Sequence, residues 1–209
     1  MPATTLTYFD IPTSRGEECR LALFLAGVDF TDERLSRAQW EARKAGSPFG
    51  ALPVLTLEGK PPIAQSNAIL RLLGARHGLL PSDLHESARH EAVMGAVEDL
   101  RGRMGPINRL KDPEEKRRAR EELARGYLPE WAGHLEQQVV GPFLGGEAIS
   151  VADLKVFVVL APILKGIIDH VSPDVLAPFS RVLRLVEAVK AHPRVVAWHA
   201  RPTTPPKAT

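Results

Sequence analysis

Tyr8 closes a short apolar run, Leu6-Thr7-Tyr8-Phe9, immediately before the loop Asp10-Ile11-Pro12-Thr13-Ser14. A phenol in that place either donates a hydrogen bond to an anion above the end of a strand, or packs its ring and leaves only the hydroxyl wet. Trp40 and Lys44 stand four residues apart. On a helix that spacing turns an indole N–H and an ammonium toward one spot, unless the two are chance neighbours on an exposed face. Leu52-Pro53 joins the loop Ser47-Pro48-Phe49-Gly50-Ala51 to the strand-like Val54-Leu55-Thr56-Leu57, and about 5–6% of such bonds are cis. Gln65-Ser66 lies where a strand gives way to a helix. Backbone N–H groups and the helix dipole welcome a carboxylate there, although Ser66 also suits a plain N-cap.

Other chemistry finds little support. The single cysteine, Cys19, falls inside a helix with no second cysteine at dithiol spacing. It reads as a buried, inert thiol, and neither a disulfide framework nor a cysteine-based zinc site is available. The seven histidines form no HExxH and no other i,i+4 ligand pair, and there is no GxGxxG or P-loop; neither a metal nor a nucleotide is expected. With 27 Lys and Arg against 25 Asp and Glu, the formal charge of +2 leaves no basic footprint for nucleic acid or an anionic membrane. An apolar share of 44% with 25% charged residues is ordinary for a globular chain. No apolar run approaches a membrane span, and the opening Met1-Pro2-Ala3-Thr4-Thr5 has neither the basic nor the apolar region of a leader. The expectation is a soluble, cytoplasmic protein.

The elements that must hold these residues change character partway along. From Leu6 to Pro62 the segments are short and mixed: a strand ending at Phe9, an amphipathic helix over Glu17-Glu18-Cys19-Arg20-Leu21-Ala22-Leu23 stopped by Gly27, and an alternating strand in Asp29–Leu35. Two further strands flank the turn Glu58-Gly59-Lys60, and a helix from Ser66 to a glycine stop at Gly78 closes this half. The order β-α-β-(short helix)-β-β-α suits a small α/β sandwich over residues 1–78. Residues 79–86 read as a linker, and residues 87–209 as helical almost throughout. Ala88 to Met104 and the long charged stretch Pro113 to Val140 each read as one helix. Glu114 with Arg118 and Glu121 with Arg125 fall at i,i+4 on a solvated face. The polar, Pro-rich tail from Arg201 reads as loose or surface-bound.

Ser150-Val151-Ala152-Asp153 places a hydroxyl at a helix start and a carboxylate three residues on, each able to bond an unpaired backbone N–H. Asp reaches less far than the usual Glu, so a partial box is expected. The helix it opens is apolar all round and belongs at the centre of the second half.

Taken together, the spacing Tyr8…Arg15…Trp40…Lys44…Leu52-Pro53…Gln65-Ser66 resembles the glutathione transferase family, most closely the sigma class with its prostaglandin-D-synthase-like relatives. Leu6-Thr7-Tyr8-Phe9, Pro48-Phe49-Gly50, Gln65-Ser66-Asn67, Ile149–Leu154 and His192–Pro202 all look like family landmarks, so the likeness spans nearly the whole chain. It implies a thioredoxin-like N-terminal domain, an all-α C-terminal domain carrying the electrophile site, and a homodimer. By resemblance Gln65 and Ser66 hold the γ-glutamyl group of glutathione, the Leu52 backbone beside Pro53 pairs with the cysteinyl unit, and Trp40 and Lys44 take the glycine carboxylate. Asp99, with its neighbour Glu98 as the alternative, resembles the acid that reaches the ligand's amino group across the dimer. Tyr8 and Arg15 would address the sulfur, and the activity implied is conjugation of glutathione to small hydrophobic electrophiles in detoxification. Isomerisation or peroxide reduction by the same thiolate, or a non-catalytic binding or structural role such as that of crystallin-like relatives, fits the same pattern.

Two departures matter. Ala51 stands where the sigma pattern has Lys or Gln, removing one polar contact to the glycine end. The loop before Arg15 is one residue longer than in animal relatives, which brings Thr13 and Ser14 near the place where serine-type classes keep their activating hydroxyl. Phe49 occupies a position where some classes insert an aromatic side chain into the partner subunit, or else serves a local core. Glu17 and Glu18 would oppose an anion and should point away. The co-substrate pocket should draw on Phe9, Ile11, Pro12, Met104, Ile107 and the C-terminal tail.

Overall fold

The alternation of the first strand decides the architecture of the first half. In β1, Thr4–Phe9, Leu6 and Tyr8 are buried while Thr5 and Thr7 are half-buried, as expected when every second side chain enters a core. A computed structural model describes residues 3–201. β1 is central in a four-stranded sheet of order β2-β1-β3-β4. β2, Thr31–Leu35, runs parallel to it with Tyr8 opposite Arg34; β3, Val54–Leu57, runs antiparallel with Leu6 opposite Leu55. β4, Ile63–Ala64, completes the edge. This is the expected thioredoxin-like sheet.

α1, Ser14–Leu25, and α3, Ser66–His77, pack on each other. Leu21, Ala22 and Leu23 of α1 and Ile69, Leu70 and Leu73 of α3 are buried, about 1.5–3 kcal/mol of apolar burial for each large side chain. Gly78 ends α3 in the left-handed conformation at φ 71°, where glycine carries no steric penalty. α2, Arg37–Arg43, starts with Ser36 and Gln39 bonded to each other's backbone N–H at 3.2 and 2.8 Å.

In the second half, α4 spans Leu84–Arg109, α5 Pro113–Arg125, α6 Tyr127–Gln138, α7 Val151–Leu164 and α8 Ser180–Ala191. α7 is buried from Val151 through Leu160. Both halves of its capping box close. Asp153 accepts from the Ser150 N–H at 2.8 Å and, with its second oxygen, from the Leu144 N–H at 2.7 Å. That second bond anchors the preceding loop, so the short side chain serves two segments. Burial pushes the Asp153 carboxyl up, against the pull of those bonds.

Several boundaries differ from the sequence reading. α1 begins at Ser14, a full turn before Glu17. Ser66 is the first helical residue of α3, and Gln65 takes the cap position at φ 74°; the hydroxyl therefore does not cap. The stretch expected as one helix from Pro113 to Val140 is broken at Gly126 (φ −111°, ψ −91°). Glu114–Arg117 and Arg117–Glu121, both at 2.8 Å, stand in place of the expected Glu114–Arg118, while Glu121–Arg125 pairs at i,i+4 as expected, at 3.9 Å. α4 starts inside the expected linker, capped by Asp83, whose carboxylate accepts from the Glu86 N–H at 2.9 Å, and it outruns Met104 to reach Arg109.

Two compact units result: one runs through Ser82 and regains the chain from Ala191, the other is Asp83–Lys190. The last described helix, α9 (Pro193–His199), thus belongs with the first unit, packed on α1. Tail residues 202–209 lie outside the described residues. Among the described residues no helix is long and apolar enough to cross a membrane.

Candidate active site

Tyr8 owes its place to strand alternation and to its neighbour in α1. The residue is only 5% exposed, and a Cβ built on Gly16 would lie 2.0 Å from its Cδ1. Among the described residues its hydroxyl has no hydrogen-bond partner. The ring meets Phe9 edge-on at 5.5 Å, and Phe9 meets Trp40 in the same manner at 6.3 Å. One aromatic row therefore runs from the end of β1 to α2.

Arg20, wholly buried, fixes the loop that follows. Its guanidinium donates to the carbonyls of Phe9 at 3.1 Å and Ile11 at 2.8 Å and to Asp32 at 2.9 Å, and its carbon lies 5.8 Å from the Tyr8 ring centre. A buried charge is tolerable only with such partners. The sequence reading missed this residue; its one signal was a basic side chain between Cys19 and the apolar stretch Leu21-Ala22-Leu23.

Glu17, 4% exposed, turns its carboxylate to the Trp198 indole N–H at 2.6 Å and lies 3.5 Å from Arg20 and 3.7 Å from His199. Burial alone would raise this carboxyl. The hydrogen bonds from His199 and Trp198 and the charge of Arg20 outweigh it and hold the group below its ordinary value.

Arg15 is half-buried on the first turn of α1, and Ser14 begins that helix at φ 65°. Left-handed backbone at a residue bearing a Cβ costs roughly 1–2 kcal/mol. Four described non-glycine residues have positive φ: Ser14, Phe49, Gln65 and His170. Three of them fall in segments singled out from sequence, and such strain collects at functional sites.

Trp40 is 8% exposed, while Lys44 ends α2 in the open. Among the described residues neither the indole N–H nor the ammonium has an internal hydrogen-bond or ion-pair partner. The Lys44 chain lies along the loop before β3, with its Cγ 3.7 Å from where a Gly50 Cβ would stand. Leu52-Pro53 is cis. Sheet pairing of β3 begins only at Val54, opposite Ala64, so Leu52 stands ahead of the paired strand.

At α3 the first intrahelical bond joins the Ile69 N–H to the Gln65 carbonyl at 3.1 Å. The Gln65 side chain caps none of the N–H groups in the first turn of α3 and is exposed, while Ser66 is buried. Such a helix start favours an anion. The first unit thus carries Tyr8, Arg15, Trp40, Lys44, Leu52, Pro53, Gln65 and Ser66 together.

Asp99 belongs to the second unit. Its neighbour Glu98 is taken by the fully buried Lys155 at 2.6 Å and by Arg101 at 2.9 Å. Asp99, about 100° further round α4, is exposed and lines a groove of about 400 Å³ with Val93, Ala96, Tyr127, Trp131 and Leu135. Of the co-substrate residues, Ile11 and Pro12 are exposed in the first unit, and Met104 and Ile107 are half-buried on α4. Among the described residues no three His, Cys, Asp or Glu side chains are grouped to hold a metal ion.

Comparison with known proteins gives this arrangement its context. The family pattern described as glutathione S-transferase, N-terminal domain matches residues 4–74, and the C-terminal domain pattern of the same family matches residues 98–202. Glutathione S-transferase 1 of Ascaris suum is 32% identical, the alignment covering 98% of this chain and all of that one. Hematopoietic prostaglandin D synthase of Gallus gallus is 30% identical over 98% of this chain and 99% of its own. The solved structure of prostaglandin synthase D of Nilaparvata lugens superposes with a TM-score of 0.84 at 28% identity, covering 97% of this chain and all of that one. With its thioredoxin-like sheet, its all-helical second half and relatives matched end to end, the chain belongs to the glutathione S-transferase family of enzymes.

Proposed function

We propose that the chain binds glutathione along its first unit and ionises the thiol for transfer to small, largely apolar electrophiles. The γ-glutamyl carboxylate rests on the start of α3 at Gln65 and Ser66. The cysteinyl backbone pairs with Leu52 beside Pro53 as an added strand would. The glycine carboxylate meets the Trp40 indole N–H and the Lys44 ammonium, and Ala51 offers it nothing.

Tyr8 donates its hydroxyl to the sulfur, with Arg15 and the head of α1 adding positive potential. A free thiol with a pKa near 8.5 is only ~3% ionised at pH 7. Lowering it two units takes about 2.7 kcal/mol of preference for the thiolate. One donor supplies part of that, and charge in a water-poor setting the rest.

The observation that carries this reading is the Tyr8 hydroxyl, without a partner among the described residues although its ring is packed in the core. The test is Tyr8→Phe, assayed by conjugation of glutathione to an activated chloronitrobenzene and by ultraviolet titration of the bound thiol. Conjugation should fall about 10–100-fold, the worth of one hydrogen bond to an anion, and the thiol pKa should rise; an unchanged pKa would refute the assignment. Prostaglandin D synthesis, the activity named for two of the similar proteins, would use the same thiolate, and assay with that substrate separates the two.

The functional form we propose is a homodimer. Phe49, 85% exposed at the turn before Leu52, fits the apolar groove beside Asp99 on a second copy. Asp99, left free by the Glu98–Lys155 pair to face outward, then reaches the amino group of glutathione held by that copy.

A further inference from the structure

Gly16 and Arg20 lie four apart on α1, one stripe of the helix, and both meet the Tyr8 ring. A Cβ on Gly16 would stand 2.0 Å from Tyr8 Cδ1, 2.4 Å from Cγ and 2.8 Å from Cε1, well inside any tolerated carbon contact. The ring is in the core of the unit, and its strand is held on both sides by β2 and β3. The first turn of α1 is equally fixed, by Glu17 bonded to Trp198 at 2.6 Å and by Arg20 bonded to the carbonyls of Phe9 and Ile11. The backbone is held on both sides, so a side chain at position 16 must displace the ring.

We infer that Gly16 is a positioning residue for the Tyr8 phenol: its missing side chain sets where the ring lies and therefore where the hydroxyl is presented. This rests on the reading of Tyr8 as the thiol's donor. Arg20 completes the seat from the next turn, holding the Phe9 and Ile11 carbonyls that lead the chain away from the strand. A hydrogen bond depends on its donor–acceptor distance and weakens steeply as its angle leaves the favoured range. A ring displaced by even an ångström thus delivers less of the stabilisation its hydroxyl offers.

The test compares the full-length protein with Gly16→Ala, Tyr8→Phe and the double variant. Bound-thiol pKa is read by ultraviolet titration, and affinity for S-methylglutathione, which has no thiol to ionise, by calorimetry. Gly16→Ala should raise the thiol pKa by about one unit, a tenfold shift in the thiol–thiolate equilibrium and about a threefold loss of thiolate at pH 7, with affinity for the thioether within about twofold. In the Tyr8→Phe background the same change should add nothing to the pKa, although the ring and its crowding remain.

An unchanged thiol pKa in Gly16→Ala overturns the inference, as does an equal rise with and without the hydroxyl. Should Gly16→Ala fail to fold, it is made in a Tyr8→Ala background, which removes the ring. Recovery of folding there supports the contact, and continued failure overturns it. If Tyr8→Phe alone leaves the thiol pKa unmoved, the reading of Tyr8 falls; if Tyr8→Phe moves it and Gly16→Ala does not, only the role of Gly16 falls.

Discussion

Trp198 donates its indole N–H to Glu17 at 2.6 Å across 181 residues of chain. The bond fastens α9 to the first turn of α1, and the Trp198 ring rests on Phe24 at 5.4 Å and Phe30 at 6.3 Å. Arg201, just past α9, adds its guanidinium over Phe24 at 5.3 Å and over Trp198 at 5.0 Å. The end of the described chain is thus tied to the helix that bears Arg15 and Gly16.

This tie should depend on pH in a defined direction. The folded Glu17 carboxyl is held below its ordinary value of 4.5, so the folded state favours the ionised form. That stability is complete above about pH 4.5 and fades as the pH falls through the lower folded value. Thermal midpoints of the parent and Glu17→Gln should differ at neutral pH and converge in acid. Trp198→Phe should cost about 1.5–3 kcal/mol at neutral pH, the usual worth of a hydrogen bond to a charged group. Equal midpoints at pH 7 would refute the linkage.

Glu98 and Asp99 should separate cleanly when each is altered. Glu98→Ala strips the fully buried Lys155 of a carboxylate 2.6 Å away and should cost about 3 kcal/mol. Asp99→Asn should leave the thermal midpoint within about 0.5 kcal/mol of the parent while weakening glutathione binding. Urea unfolding and calorimetry read the two effects. Loss of stability in Asp99→Asn without loss of affinity would reverse the roles.

Ser14 stands at φ 65° with a side chain, a conformation glycine adopts without penalty. Ser14→Gly should therefore stabilise the protein by about 0.5–1 kcal/mol. If Tyr8 is the donor, the bound-thiol titration should not move. A raised thiol pKa in Ser14→Gly would instead transfer the activating role to that hydroxyl.

Phe49 is the most exposed large apolar side chain described, at 85%. Phe49→Ala should shift sedimentation toward the monomer while the far-ultraviolet spectrum stays the same. Unaltered sedimentation would separate dimer formation from this residue.

Neighbour-scale features were legible in advance. The order of strands and helices follows from which residues alternate and which recur each turn, and the Ser150–Asp153 box and the Gly78 stop involve groups within four residues of each other. Boundaries were harder. Ser14 and Gln65 take backbone conformations that their residue types do not advertise, so α1 and α3 begin where composition did not place them. Gly126 sits in a run of strong helix formers yet ends one helix and opens another.

The sequence by itself determined which residue types were available: a phenol at the close of the first strand, an indole and an ammonium one turn apart, and a glutamine and a serine at a helix head. It also determined the local periodicities that make a mixed first half and a helical second half. Only the tertiary structure decided that the phenol rests on Gly16, that Arg20 is buried against two loop carbonyls, that Glu98 rather than Asp99 pairs with Lys155, and that α9 joins the first unit. The reason is physical. Local patterns reflect rotations fixed by a residue's immediate neighbours, whereas burial of a charge or the seat of a ring depends on which distant surfaces packing brings within a few ångströms.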